Sequence, residues 1–123
     1  MVQVNCLDTY ALIEITLGNP KFEKYVKQDF VITDLTLAEF YGVLLRKEGE
    51  EVAGYWYKNL ESYSVSSEKD VFISAIKFRY QHSKARISFF DAVGYIYATT
   101  NDMKFVTGDK EFEHFTGVEF QKK

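Results

Sequence analysis

Short β-rich runs alternate with stretches of helical period along this sequence, and no other feature constrains its fold as strongly. The β-rich runs are residues 2–7, 30–33, 63–66, 104–107 and 118–120, built from Val, Ile, Phe and Tyr. Residues 10–17 and 21–27 read as helices, broken apart by Asn19-Pro20, since proline is tolerated only in a helix's first turn. Leu37, Phe40, Tyr41, Leu44 and Leu45 fall at i, i+3, i+4, i+7 and i+8, one face of a helix that Gly49 stops. Residues 52–60 form an aromatic-rich helical stretch. Residues 67–80 carry Val71, Phe72, Ala75, Ile76 and Tyr80 at helical spacing, and residues 89–100 place Phe89, Val93, Ile96 and Tyr97 on one side. Strands separated by helices predict an α/β fold with a mostly parallel sheet.

Composition removes several competing classes. At 123 residues, with no linker, repeat or low-complexity segment, the chain reads as a single domain, 1–123, large enough to bury a core. Cys6 stands alone, so no internal disulfide forms and a reducing, cytoplasmic setting is expected. With His82 and His114 it also falls short of the four ligands of a structural zinc site. No apolar run reaches the roughly 20 residues of a bilayer span, so no membrane partner is expected. A formal net charge of −3 argues against non-specific coating of nucleic acid, while leaving room for a local basic patch.

In open parallel sheets, ligands bind beyond the carboxyl ends of the strands. Asp8 follows the first strand directly, and Asp109 comes one glycine after the 104–107 strand. Glu39 is expected in the first turn of the helix after residues 30–33, and Asp91 in the first turn of the helix that starts at Phe89. Four acids from four segments thus point to one edge of the sheet. Unit charges about 4 Å apart repel by about 4 kcal/mol at an effective dielectric near 20, so a proton or a metal must neutralise such a group. Oxygen-only ligands favour hard cations, Mg²⁺ or Mn²⁺, over zinc. A cation of that kind beside a phosphate suits phosphodiester hydrolysis.

A second reading of the same acids is capping. Thr36-x-x-Glu39, Ser88-x-x-Asp91 and Ser67-x-x-Asp70 all have capping-box spacing, and acids in a first helical turn are favoured by the helix dipole. Asp8 and Asp109, at strand ends, have less need to cap, although Gly108-Asp109 is also an ordinary turn pair. Between Val71 and Phe90 there is no acid, whereas Lys77, Arg79, Lys84, Arg86 and His82 all fall there. Arg79, Lys84 and Arg86 are candidates to hold a phosphate backbone, against the alternative of a solvated helix end. Aromatics are 17% of the chain, most at core positions, and Tyr10 beside Asp8 is the one placed to meet a ligand.

The segments Leu7-Asp8-Thr9, Leu37-Ala38-Glu39-Phe40, Ser88-Phe89-Phe90-Asp91-Ala92 and Val106-Thr107-Gly108-Asp109 resemble, in order and spacing, the four acidic signatures of PIN-domain nucleases. The chain is most similar to the small VapC-type toxins of prokaryotic toxin–antitoxin pairs, over nearly its whole length. The resemblance implies a three-layer α/β/α sandwich and an endoribonuclease that uses one or two Mg²⁺ or Mn²⁺ ions. It implies Asp8, Glu39, Asp91 and Asp109 as catalytic, metal-binding acids, with Thr9 and Thr107 in support. It further implies a homodimer and a cognate antitoxin that masks the site. Many relatives follow the first Asp-Thr with Asn or Ser, where this chain has Tyr10.

Two rivals stand beside this expectation. A phosphorylated receiver domain has a similar size and sheet, but needs paired acids after its first strand, an acceptor Asp after its third and a Lys after its fifth. Here Asp8 stands alone and Ser67-Glu68 follows the third strand. The other rival keeps the PIN fold but does RNA processing outside a toxin pair, or scaffolding; four intact acids argue against the scaffold.

Overall fold

The computed structural model describes residues 3–123. In chain order the elements are β1 (Asn5–Leu7), α1 (Thr9–Thr16), α2 (Glu23–Lys27), β2 (Phe30–Thr33), α3 (Asp34–Glu48), α4 (Glu50–Leu60), β3 (Ser64–Val65), α5 (Lys69–Gln81), α6 (Phe89–Thr100), β4 (Lys104–Thr107) and β5 (Val118–Phe120). Single 3₁₀ turns at Pro20–Phe22, Glu61–Tyr63 and Lys110–Phe112 join some of them. Among the described residues the strands form one sheet in the order β3-β2-β1-β4-β5, with every neighbouring pair parallel. This is the three-layer α/β/α sandwich expected. The first β-rich run is shorter than its composition suggests: Val4 precedes the strand, and Val2 lies outside the described residues.

Alternation along the strands divides the core. Leu7, Ile32 and Val106 point to one face, where they pack with Leu12, Phe22, Tyr25, Phe40 and Leu44 from α1 to α3. Cys6, Val31 and Phe105 point to the other, where Phe78 of α5 and Val93 and Tyr95 of α6 cover them. β1 is central and wholly buried, its one polar side chain, Asn5, donating to Gln28 Oε1 at 2.8 Å. Chain order reverses on either side of it, toward β2 in one direction and β4 in the other. The β1–β4 junction is therefore the switch point, where a crevice opens beyond the strand ends.

Helix boundaries and faces differ from expectation in instructive places. α3 starts at Asp34, not near Leu37, because the Thr33 hydroxyl accepts from Thr36 N at 3.0 Å and caps it. Glu39 consequently lies in the second turn, which corrects its first-turn placement and removes the Thr36–Glu39 capping box. Gly49 does end α3, at φ 94°, a left-handed conformation that favours glycine. Leu37, Phe40 and Leu44 are buried as their spacing predicts, but Leu45 is 44% exposed. On α5 the buried residues are Ala75 and Phe78, while Ile76 and Tyr80 face outward at 52% and 83% exposure. α6 is buried on more than one side, Tyr95 included, because α5, α3 and the sheet all pack against it.

Candidate functional site

Asp8, Glu39, Asp91 and Asp109 line one cleft of about 410 Å³ beyond the carboxyl ends of β1 and β4, together with Thr9, Tyr10, Val43, Gly108 and Lys110. Each acid arrives on a different element. Asp8 is the N-cap of α1, its Oδ1 accepting from Ala11 N at 2.8 Å. Asp109 caps the 3₁₀ turn after β4, its Oδ1 accepting from Glu111 N at 3.0 Å. The two strand-end acids, expected to be free of capping, are thus the ones that cap. Asp91 stands in the first turn of α6, where Ser88 Oγ accepts from Asp91 N at 3.1 Å. Glu39 caps nothing; its carboxylate receives the hydroxyl hydrogen bond of Thr9. Asp70, with the same sequence spacing, lies apart from this cleft. Its would-be partner Ser67 instead donates to Asp34 Oδ1 at 2.9 Å, tying the loop after β3 to the start of α3.

Thr107 braces the far wall. Fully buried at the end of β4, its Oγ1 accepts from Asp109 N at 3.0 Å and so fixes the Thr-Gly-Asp turn. Thr9 thus contacts the Glu39 carboxylate, and Thr107 the backbone of Asp109.

The electrostatics are those of crowded buried carboxylates. Asp8 is 1% exposed. Burial, and then the negative charge of Asp91, raise its pKa well above the carboxylate range, against the hydrogen bonds of Thr107 and Ala11 N. Asp91 is pushed up to about 7, first by burial and then by the charges of Glu39 and Asp109, with Ser88 opposing. Among the described residues the one ion pair is Lys27–Glu23 on α2, so no cleft acid is ion-paired with a lysine or arginine. Cys6 takes no part: burial and the Asp8 charge push its thiol up to about 12, and it is packed into the core with Ala92 and Val93, outside the cleft lining.

The donor set fits a hard divalent cation: oxygen only, inside a cleft and short of positive charge. Among the described residues no three His, Cys, Asp or Glu side chains are already drawn together as a closed ion-binding group. The protein's own donors hold Asp8, Asp109 and Glu39 on their respective walls, which keeps like charges apart.

The basic stretch falls elsewhere. Arg79 Nε donates to the Ile87 carbonyl at 2.8 Å, and Arg79 lines a separate cavity with Ile76, Tyr80 and Ser83. Lys84 is exposed, and Arg86 N donates to Glu111 Oε1 at 2.9 Å, which ties the loop before α6 to the turn after Asp109. Lys110 is the cleft residue that sequence reasoning missed; its position next to Asp109 was the available signal.

The family model for the PIN domain matches residues 6–118. No curated protein matches the chain in sequence. Among solved structures, a toxin–antitoxin complex from Klebsiella pneumoniae superposes with a TM-score of 0.77 at 16% identity, covering 97% of this chain and 99% of its own. VapC20 of Mycobacterium tuberculosis, a toxin that cleaves the sarcin–ricin loop, gives 0.75 at 16% identity, covering 95% and 99%. DNA-bound VapBC from Salmonella typhimurium gives 0.76 at 16% identity, covering 99% and 98%. At such identities the likeness is one of fold.

Proposed function

The chain belongs to the PIN-domain family, and on that premise we propose that it is a metal-dependent endoribonuclease, the toxin of a toxin–antitoxin pair. The observation that carries this reading is the cleft at the switch point. There Asp8, Glu39, Asp91 and Asp109 line one cleft, and among the described residues none of them forms an ion pair with a lysine or arginine. The receiver-like alternative loses its support with the family assignment. The toxin assignment draws on the fold shared with the toxin–antitoxin structures, one of them an RNA-loop-cleaving toxin.

Asp8 and Asp91 are the principal holders of Mg²⁺ or Mn²⁺, with Glu39 and Asp109 completing the set. When bound, such an ion supplies Lewis-acid stabilisation to a phosphodiester and makes a nearby water more acidic. The chain's own residues do the rest. Thr9 orients Glu39 and Thr107 orients the turn carrying Asp109. Whichever cleft carboxylate is left free of the ion orients the attacking water and accepts its proton. Lys84, Arg86 and Arg79 are secondary candidates for RNA contact. A homodimer and an antitoxin that covers the cleft complete the proposal.

The test is cleavage of a mixed-sequence single-stranded RNA with Mn²⁺, with Mg²⁺ and with EDTA, beside Asp8→Asn prepared identically. Metal-dependent cutting that the variant lacks is the expected result. Cutting that survives in EDTA, or in Asp8→Asn, overturns the assignment. Coexpression with the product of an adjacent small gene, and loss of cutting in the complex, separates a toxin from an RNA-processing nuclease.

A further inference from the structure

The segment after β5 reaches Tyr10, a residue that lines the same cleft. Gln121 N donates to the Thr107 carbonyl at 2.9 Å, which extends the β4–β5 pairing past the end of the strand. Two residues on, Lys123 N donates to the Tyr10 hydroxyl at 3.1 Å. Tyr10 is itself a wall of the acidic cleft, and its ring is seated on Gly108: a Cβ there would fall 2.0 Å from Tyr10 Cε1. On that wall stands Lys110, directly after Asp109. Lys110, Lys122 and Lys123 are all exposed, and none is ion-paired among the described residues. Lys110 thus lines a cleft rich in carboxylates, and Lys122 and Lys123 lie on the segment that is tied to its Tyr10.

A polyanion approaching four carboxylates is repelled unless cations flank its path. Contacts to phosphates are what set the register of a nucleic acid strand. We infer that Lys110, Lys122 and Lys123 form the wall that grips the phosphates of a single RNA strand beside the cleft, with Tyr10 as the positioning residue that holds the 121–123 segment there. The inference rests on the nuclease reading and gives its substrate a place to lie. It also shifts the main RNA contact away from the 77–86 stretch, where Arg79 is spent on the Ile87 carbonyl.

The test is RNA binding in an Asp91→Asn background, which removes cutting, followed by fluorescence anisotropy of a labelled mixed-sequence single strand in Mg²⁺ over a range of salt. Each lost phosphate contact makes the slope of log affinity against log salt shallower by about 0.7 for single strands. Lys110→Gln/Lys122→Gln/Lys123→Gln is expected to flatten the slope by about 2 and to weaken binding roughly tenfold or more at moderate salt. Lys84→Gln/Arg86→Gln is expected to change it less. Tyr10→Phe keeps the ring on Gly108 but removes the acceptor for Lys123 N, and is expected to move the slope part of the way. Unchanged thermal melting shows that the variants are folded. A triple variant with the slope of its background overturns the lysine wall, and Tyr10→Phe with that slope overturns the role of Tyr10. Parent protein that does not cut the RNA, with a background protein that does not bind it, overturns the nuclease reading as well, a result distinct from either.

Discussion

Each acid of the cleft carries a structural duty and an electrostatic cost, and the two separate by substitution. Asp91 has a pKa near 7 in the folded chain and an ordinary carboxylate value when unfolded, so between these values the folded state binds the extra proton. Stability therefore falls as pH rises from about 4 to about 7, and the penalty is complete above that. In metal-free buffer, Asp91→Asn is expected to be more stable than the parent by about 2–4 kcal/mol at pH 8 and nearly equal to it at pH 4. Urea unfolding at the two pH values checks this, and the same variant should cut RNA at least 100-fold more slowly. Asp8→Asn is a milder test of stability, because its amide oxygen can still accept from Ala11 N. Gly108→Ala is expected to destabilise by about 1–3 kcal/mol by driving a methyl group into Tyr10. Adding Tyr10→Ala should recover much of that loss, a coupling measurable in a double-mutant cycle. At this scale the four acids were legible because they sit in short local signatures. The grip of Lys123 on Tyr10 was not, since a bond spanning 113 residues leaves no trace in local spacing.

Among the elements, strands read more faithfully than helices. Residues 30–33, 104–107 and 118–120 are strands as their β-branched and aromatic content predicts. Helix faces were misread where packing, not period, decides them: Tyr80 has the spacing of a core residue yet projects from α5, 83% exposed. The start of α3 was misread because a β-strand residue, Thr33, doubles as its cap. Thr33→Ala should cost about 1–2 kcal/mol, removing a buried cap while leaving every cleft acid in place. Chemical denaturation reports it as a shifted midpoint with an unchanged slope. A two-residue edge strand such as Ser64–Val65 carries too little pattern to mark its own limits; its ends are set by pairing to Ile32 and Thr33.

For the molecule as a whole, the cleft is a place where charge is stored at a cost, and a cation should repay it. If the proposed site is right, Mn²⁺ or Mg²⁺ at a hundred times Kd is expected to stabilise the folded state by about 2.7 kcal/mol, a rise of several degrees in Tm that EDTA reverses. Asp8→Asn should lose most of that rise. The strand order was not legible beyond the parallel class, because pairing β1 with β4 instead of β5 is a tertiary choice. That pairing has one more consequence. Leu7 aligns with Val106, so Asp8 and Asp109 meet only once a strand near the start of the chain has closed on one about a hundred residues later. Asp8 and Glu39 are carried by the segment from β1 to α3, while Asp91 and Asp109 arrive only when α6 and β4 close on it, so the cleft is assembled by long-range contacts and exists only in the completed sheet.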